Sequence, residues 1–216
     1  MGFESFKFEK DTKKILNYMV YLPQSYNTIK KWPLILSLHG SGERGNNIDN
    51  VKKWGIHKML RENNNFPFVV VSPQCPIGEI WEMQFNILKD LLDEIGNNYN
   101  IDNERIYLTG YSLGGYGTWN FAILNPERFS AIVPISGGAV SPQKSLKLKN
   151  MPIWVAHGDS DTVVQFEESK RIVNYLKKYN PNIIFKVYKG AGHEVCTTAY
   201  EEPELFKWLL KQKRKI

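Results

Sequence analysis

A serine flanked by glycines stands at Gly110-Tyr111-Ser112-Leu113-Gly114, with Gly115 behind it. The apolar run Ile106 to Thr109 leads into this motif, and Tyr116 to Leu124 reads as a helix after it. A serine hydroxyl is presented as a nucleophile when a sharp strand-to-helix turn lifts it clear of the chain. Glycines on either side remove side chains that would collide in such a turn. The hydroxyl then needs a base to take its proton and a carboxylate to orient that base. Downstream, His157-Gly158-Asp159-Ser160-Asp161 offers two carboxylates, and Gly190-Ala191-Gly192-His193 offers an imidazole in a glycine-flanked loop. We assign Ser112 as nucleophile and His193 as base. The residues alone leave both Asp159 and Asp161 open as the acid, with backbone capping of its turn as the other role for Asp159. The remaining histidines are poorer bases: His39 ends an apolar run, His57 lies on an irregular helical stretch, and His157 opens the acid loop.

Acyl transfer through a tetrahedral intermediate also needs two N–H donors aimed at the oxyanion. The residue after the nucleophile, Leu113, supplies one from its backbone. The other is expected from the loop that follows the run Trp32–Leu38, namely His39-Gly40-Ser41-Gly42-Glu43-Arg44-Gly45. That loop lacks the Lys-Ser/Thr ending of a phosphate loop and the glycine spacing of a dinucleotide site. No cofactor or metal is therefore expected.

Positioning these groups requires strands that end on one edge. Phe3, Phe6 and Phe8 sit among polar residues, and Ile15 to Leu22 alternates, so two strands open the chain before Pro23. The runs at Trp32–Leu38, Phe68–Ser72, Ile106–Thr109, Ala131–Ser136, Ile153–Ala156 and Ile183–Tyr188 are apolar on both faces, as parallel strands covered on both sides are. Pro134 is discordant, because it cannot donate within a central ladder, and its place near a strand end makes it tolerable. Helical stripes appear from Gln84 to Ile95, from Val164 to Tyr179 and around Leu205–Leu210, with Pro203 in the first turn of the last. Ile48–Leu60 is a less regular helix. Alternating strands and helices define an α/β domain with a mostly parallel sheet, spanning 1–216 as one unit.

Composition sets the outer bounds. The 216 residues are 42% hydrophobic and 13% aromatic, enough for a sizeable core. The net charge of +6 comes from short runs, Lys144–Lys149 and Lys211–Lys215, that read as solvated faces or chain ends. With no aromatic platform along a basic stripe and no zinc-finger spacing, nucleic acid is not an expected partner. No apolar run approaches the roughly 18 residues of a membrane span. The N-terminus does not read as a signal peptide, so a cytoplasmic location is the default, with a secreted form open if a leader was removed. Cys75 and Cys196 are too few for a disulfide scaffold, although both fall in loops on the site's side, where a bridge between them is an open alternative. The oligomeric state is not legible.

The four motifs, in this order, resemble the α/β-hydrolase superfamily over nearly the whole chain. The nearer likeness is to compact carboxylesterases, including feruloyl- and acetylxylan-esterase-like enzymes, and to the catalytic domains of prolyl-oligopeptidase relatives. The resemblance implies a three-layer sandwich. It selects Asp161, the later carboxylate, as the acid. It places the second oxyanion donor at Ser41, with Gly42 as the fallback. The implied reaction is hydrolysis of short-chain or hydroxycinnamoyl esters, carbohydrate-linked ones included, through an acyl-enzyme. A peptidase and a non-catalytic binding module of the same fold are the alternatives. The stretch 137–152 is short and basic, carrying Lys144, Lys147 and Lys149, so no cap domain or apolar lid is expected there. Pocket walls are expected from Gly42, Trp81 and Cys196, since ligands in open α/β sheets sit beyond the strands' C-terminal ends. Trp119, on the helix after Ser112, is expected in the core.

Overall fold

The computed structural model describes residues 2–10, 14–62 and 66–214. Its sheet has eight strands: β1 (Phe3–Lys10), β2 (Lys14–Tyr21), β3 (Trp32–Leu38), β4 (Val69–Pro73), β5 (Ile101–Tyr111), β6 (Ala131–Ile135), β7 (Ile153–Gly158) and β8 (Ile183–Tyr188). Their spatial order is β1-β2-β4-β3-β5-β6-β7-β8. β1 and β2 pair antiparallel, β2 pairs antiparallel with β4, and every other pairing is parallel.

The period of two decides which core each strand residue joins. Leu34, Leu36 and Leu38 face one side, with Val69, Val71 and Leu108. Ile35, Val70, Tyr107, Val133 and Ala156 face the other. Helices α2 (Phe85–Asn98), α3 (Leu113–Leu124) and α4 (Glu167–Leu176) cover the first side. Helices α1 (Ile56–Glu62), α5 (Val195–Tyr200) and α6 (Pro203–Lys211) cover the second. Burial on both faces is what the continuous apolar runs required. The α/β-hydrolase three-layer architecture follows, and no cap overlies the sheet's C-terminal edge among the described residues.

Details depart from the sequence reading in instructive places. The stretch Ile48–Leu60 divides into a 3-10 turn, Ile48–Lys52, and α1, separated by Gly55 at φ 66°. The residues around Cys196 form the short helix α5, whose six residues are too few to display a period. The stretch 137–152 holds only a 3-10 turn, Gln143–Leu148, in which Leu148 is buried. Pro134 lies within β6, between two parallel neighbours. The rungs to β7 come from the N–H groups of Ile132 and Ser136, and Pro134 falls midway between them, so one rung is lost and its neighbours hold the pair. Lys215, the end of the second basic run, lies outside the described residues.

Candidate active site

The site is built where β5 turns into α3. Ser112 sits at φ 54° and ψ −119°, a left-handed conformation that a side-chain-bearing residue adopts only when its surroundings hold it there. The backbone N–H of Ser112 donates to the Ile135 carbonyl of β6, and Tyr116 N–H donates back to the Ser112 carbonyl. The motif's glycines are needed for close approach. A Cβ at Gly114 would lie 1.9 Å from the Leu38 carbonyl oxygen, and one at Gly110 would lie 2.4 Å from the carbonyl oxygen of Gly114. The turn is thus pressed against the end of β3, which brings the start of the loop 39–45 beside it.

Ser112 Oγ donates to His193 Nε2 at 2.9 Å, and His193 Nδ1 donates to Asp161 Oδ2 at 2.8 Å. A carboxylate cannot donate, so the proton on Nδ1 settles the tautomer and leaves Nε2 as the acceptor. Asp161 follows β7 and its side chain is fully buried, whereas the His193 ring is 24% exposed. Burial alone would raise the Asp161 carboxyl. The hydrogen bonds from His193 and from the N–H groups of Val164 and Val163 outweigh that and hold it below the ordinary carboxylate value. Asp159 does not face the imidazole: its Oδ1 accepts the Gly190 N–H at 2.7 Å and so braces the turn before His193.

Leu113 opens α3 and Ser41 opens a 3-10 turn, Ser41–Glu43, so both backbone N–H groups stand at helical N-termini without intrahelical partners. The loop bearing Ser41 is cross-linked from below. Trp81 Nε1 donates to the His39 carbonyl at 3.0 Å, and Cys75 N–H donates to His39 Nε2 at 2.9 Å. His39 Nδ1 in turn donates to the Gly40 carbonyl at 2.6 Å. Gln74 Nε2 donates to the Glu43 carbonyl, and Arg44 Nε donates to the Ser41 carbonyl. The Tyr111 hydroxyl donates to the buried Glu43 carboxylate at 2.6 Å. Glu43 and Arg44 thus tether the loop separately. Tyr111, Gln74 and Asn120 were missed from sequence. An acidic side chain in a glycine-rich loop and a tyrosine beside Ser112 were the available signals.

The expected pocket walls need correction. Trp81 is fully buried, packed against Gly117 of α3 and edge-on to the His39 ring, so it lies beneath the loop and walls no open pocket. Cys196 is also buried, on α5, where it faces the core on that side of the sheet. Cys75 belongs to the core on the other face of the sheet, so no disulfide joins the two; both are free thiols. Gly42 is exposed on the loop's outer turn. Trp119 is fully buried in the core. The cavity beside Leu113 measures about 370 Å³ and lies between Ile80, Tyr116, Ala139 and Val140. Asn120 latches its two flanking loops, donating to Glu82 Oε1 at 2.6 Å and accepting the Val140 N–H at 3.2 Å. Among the described residues there is no group of three or more metal-ligating side chains.

A serine–histidine–carboxylate relay on the C-terminal edge of this sheet places the molecule among α/β hydrolases. A family model described as phospholipase/carboxylesterase matches residues 66–206, and the chain belongs to that family. It is 30% identical over 165 residues to a bifunctional acetylxylan esterase/xylanase of Neocallimastix patriciarum, covering 74% of this chain and 23% of that protein. It is 26% identical over 208 residues to a probable carboxylesterase SOBER1-like protein of Arabidopsis thaliana, covering 83% and 78% of the two chains. A solved thermostable esterase superposes with a TM-score of 0.86 at 29% identity, over 98% of this chain and 63% of that one. The chain therefore spans about a quarter of the first relative and under two thirds of the thermostable esterase. A feruloyl esterase module from Clostridium thermocellum, solved with sinapinate, shares the fold at a TM-score of 0.72 and 17% identity, over 92% of this chain and 85% of that one.

Proposed function

We propose that the protein is a serine carboxylic-ester hydrolase whose catalytic residues are Ser112, His193 and Asp161. The relay from Ser112 Oγ through His193 to Asp161 carries this reading. Ser112 attacks the acyl carbonyl while His193 Nε2 takes its proton. Asp161 holds the tautomer and stabilises the imidazolium. The N–H groups of Leu113 and Ser41 receive the oxyanion. His193 then gives its proton to the departing alcohol, and water, activated by the same imidazole, releases the acid from Ser112.

For the acyl group we favour short-chain or hydroxycinnamoyl esters, with a carbohydrate as the alcohol. The cavity beside Leu113 has room for an aromatic acyl group, and its open, largely apolar walls lack the extent a long chain needs. An uncovered edge leaves a bulky alcohol in solvent. The relatives named as acetylxylan and feruloyl esterases act in the same direction. A nitrophenyl-ester series with a matched hydroxycinnamoyl ester tests both parts. kcat/KM should be highest for short or hydroxycinnamoyl groups and fall by octanoate, and Ser112→Ala should remove nearly all turnover, on the order of 10⁶-fold. Undiminished hydrolysis by Ser112→Ala overturns the mechanism. A steady rise through long chains overturns the substrate class alone.

A further inference from the structure

A second imidazole touches the acid. His157 lies in β7, four positions before Asp161, and its side chain is fully buried. Its Nε2 is 2.9 Å from the Val164 carbonyl and 3.3 Å from Asp161 Oδ2. Both neighbours are acceptors, so Nε2 carries a proton. Oδ2 is the oxygen that also accepts from His193 Nδ1. The carboxylate thereby meets four donors: the N–H groups of Val163 and Val164 on Oδ1, and two imidazoles on Oδ2.

Behind the ring, His157 Nδ1 is 2.8 Å from Ser169 Oγ, and that hydroxyl is 2.7 Å from the Gly137 carbonyl. One hydroxyl proton serves two acceptors. Burial pushes the His157 imidazole below its ordinary value, which favours the neutral ring, so Nδ1 is an acceptor and shares the Ser169 proton with the Gly137 carbonyl. Gly137 abuts Gly115 of the nucleophile turn: a Cβ at Gly137 would lie 2.5 Å from the Gly115 carbonyl carbon. A continuous line of contacts therefore runs from the back of the Ser112 turn, through Ser169 and His157, to the carboxylate that faces His193.

We propose that His157 is a positioning residue whose Nε2–H shares Asp161 Oδ2 with His193, fixing which carboxylate oxygen meets the base and drawing charge from it. The inference rests on the catalytic roles proposed above. A neutral donor on Oδ2 makes that oxygen a weaker partner for the His193 imidazolium. Its removal strengthens the hold of His193 on its proton and moves the acidic limb of kcat/KM to higher pH. The groups facing the pair are Asp161 and His193 from their loops, Ser169 and the edge-on Phe166 ring from the α4 segment, and the Tyr116 phenol of α3, itself bonded to Glu168. His157 also feels the charge of His193 directly.

The test compares His157→Gln, His157→Asn and His157→Phe in the full chain. A glutamine amide can reach the position of Nε2, whereas an asparagine amide reaches only that of Nδ1. The Asn and Phe variants should lose about tenfold to a hundredfold in kcat, the rate equivalent of one hydrogen bond to a charged group. KM should stay nearly constant, and the acidic limb should shift upward by several tenths of a pH unit. Gln should restore most of both. The titration midpoint of the ring-labelled His193 resonance should rise in Asn and Phe and return in Gln. That second readout stands even if the wild type hydrolyses no ester, an outcome that would sink the proposed function and not this inference. Should Phe fail to fold, the Asn–Gln contrast decides. Equal behaviour of Asn and Gln, or loss of rate with the limb and midpoint unmoved, overturns the positioning role and leaves His157 as packing.

Discussion

The loop bearing His193 reaches the Ser112 hydroxyl and the loop bearing Ser41 begins against the backbone of the same turn, yet the two are held in opposite ways. The first is fastened by side chains from several elements, the buried Trp81 and Gln74 and the half-buried Tyr111 among them. The second is fastened through the acid loop, by the backbone bond from Ser160 N–H to the Ala191 carbonyl and by the Asp159 carboxylate, which accepts the Gly190 N–H. The two loops are pressed so close that a Cβ at Gly158 would lie 2.2 Å from the Ala191 oxygen. The difference matches the chemistry asked of each. Donors for an oxyanion act best when they need not reorganise as charge develops. In the proposed mechanism the imidazole exchanges protons with two partners in turn, which suits a ring oriented through one carboxylate and otherwise left partly open.

The comparison is broken most severely at the carboxylate. Asp161→Asn should lower kcat by about 10⁴-fold, because the amide can stabilise the wrong tautomer of His193 and cannot stabilise its charged form. Asp159→Asn is the control and should change kcat by no more than about threefold, the scale of an exposed substitution. A comparable loss from the control would transfer the acid's role to Asp159.

At the other loop, Tyr111→Phe removes the hydroxyl that satisfies the buried Glu43 carboxylate. Burial and the Glu43 charge both push the Tyr111 phenol upward, so it is a donor throughout the working pH range. Stability should fall by about 1–3 kcal/mol, the cost of leaving a buried charged group short of a partner. kcat should fall by about tenfold with KM little altered, less than the 10²–10³-fold typical of deleting an oxyanion donor, since Ser41 would be displaced and not removed. Glu43→Gln should cost less, because an amide oxygen still accepts from the tyrosine. A double-mutant cycle in urea melts and steady-state kinetics measures the pair, and additive losses would deny the tether.

Acid should act on the cross-linked loop and its surroundings through buried imidazoles. Burial lowers His39 to about 4 and His57 to about 3. Both remain neutral when folded at pH values where the unfolded chain protonates them. Below the ordinary histidine value near 6.5, the unfolded state binds more protons, so stability falls as pH drops towards about 4. The slope should approach 1.4 kcal/mol per pH unit for each ring, roughly. His39 must stay neutral to accept the Cys75 N–H, so its protonation should loosen the Ser41 loop. Urea midpoints between pH 7 and 4.5 check the slope, and a flat profile would show that neither ring is held neutral.

Much was readable from residues one after another. The turn at Gly110–Gly114 needs only local sterics to be recognised, and the apolar runs declared a sheet buried on both faces because period and composition are local properties. Chain order and resemblance singled out Asp161 over Asp159, and Asp161 is the carboxylate that bonds His193. What the chain could not show is which way a loop residue turns. Trp81 was expected at the mouth because its loop lies there, but Gly117, on another element, leaves the space into which its indole folds. Cys75 and Cys196 looked like neighbours until the sheet was seen to stand between their cores. The Tyr111–Glu43 tether and the sharing of Asp161 between His157 and His193 likewise depend on strands and loops meeting at one edge. Motif chemistry is local and survives in one dimension, whereas burial, tethering and the division of one carboxylate between two rings are contacts between distant segments, which only packing creates.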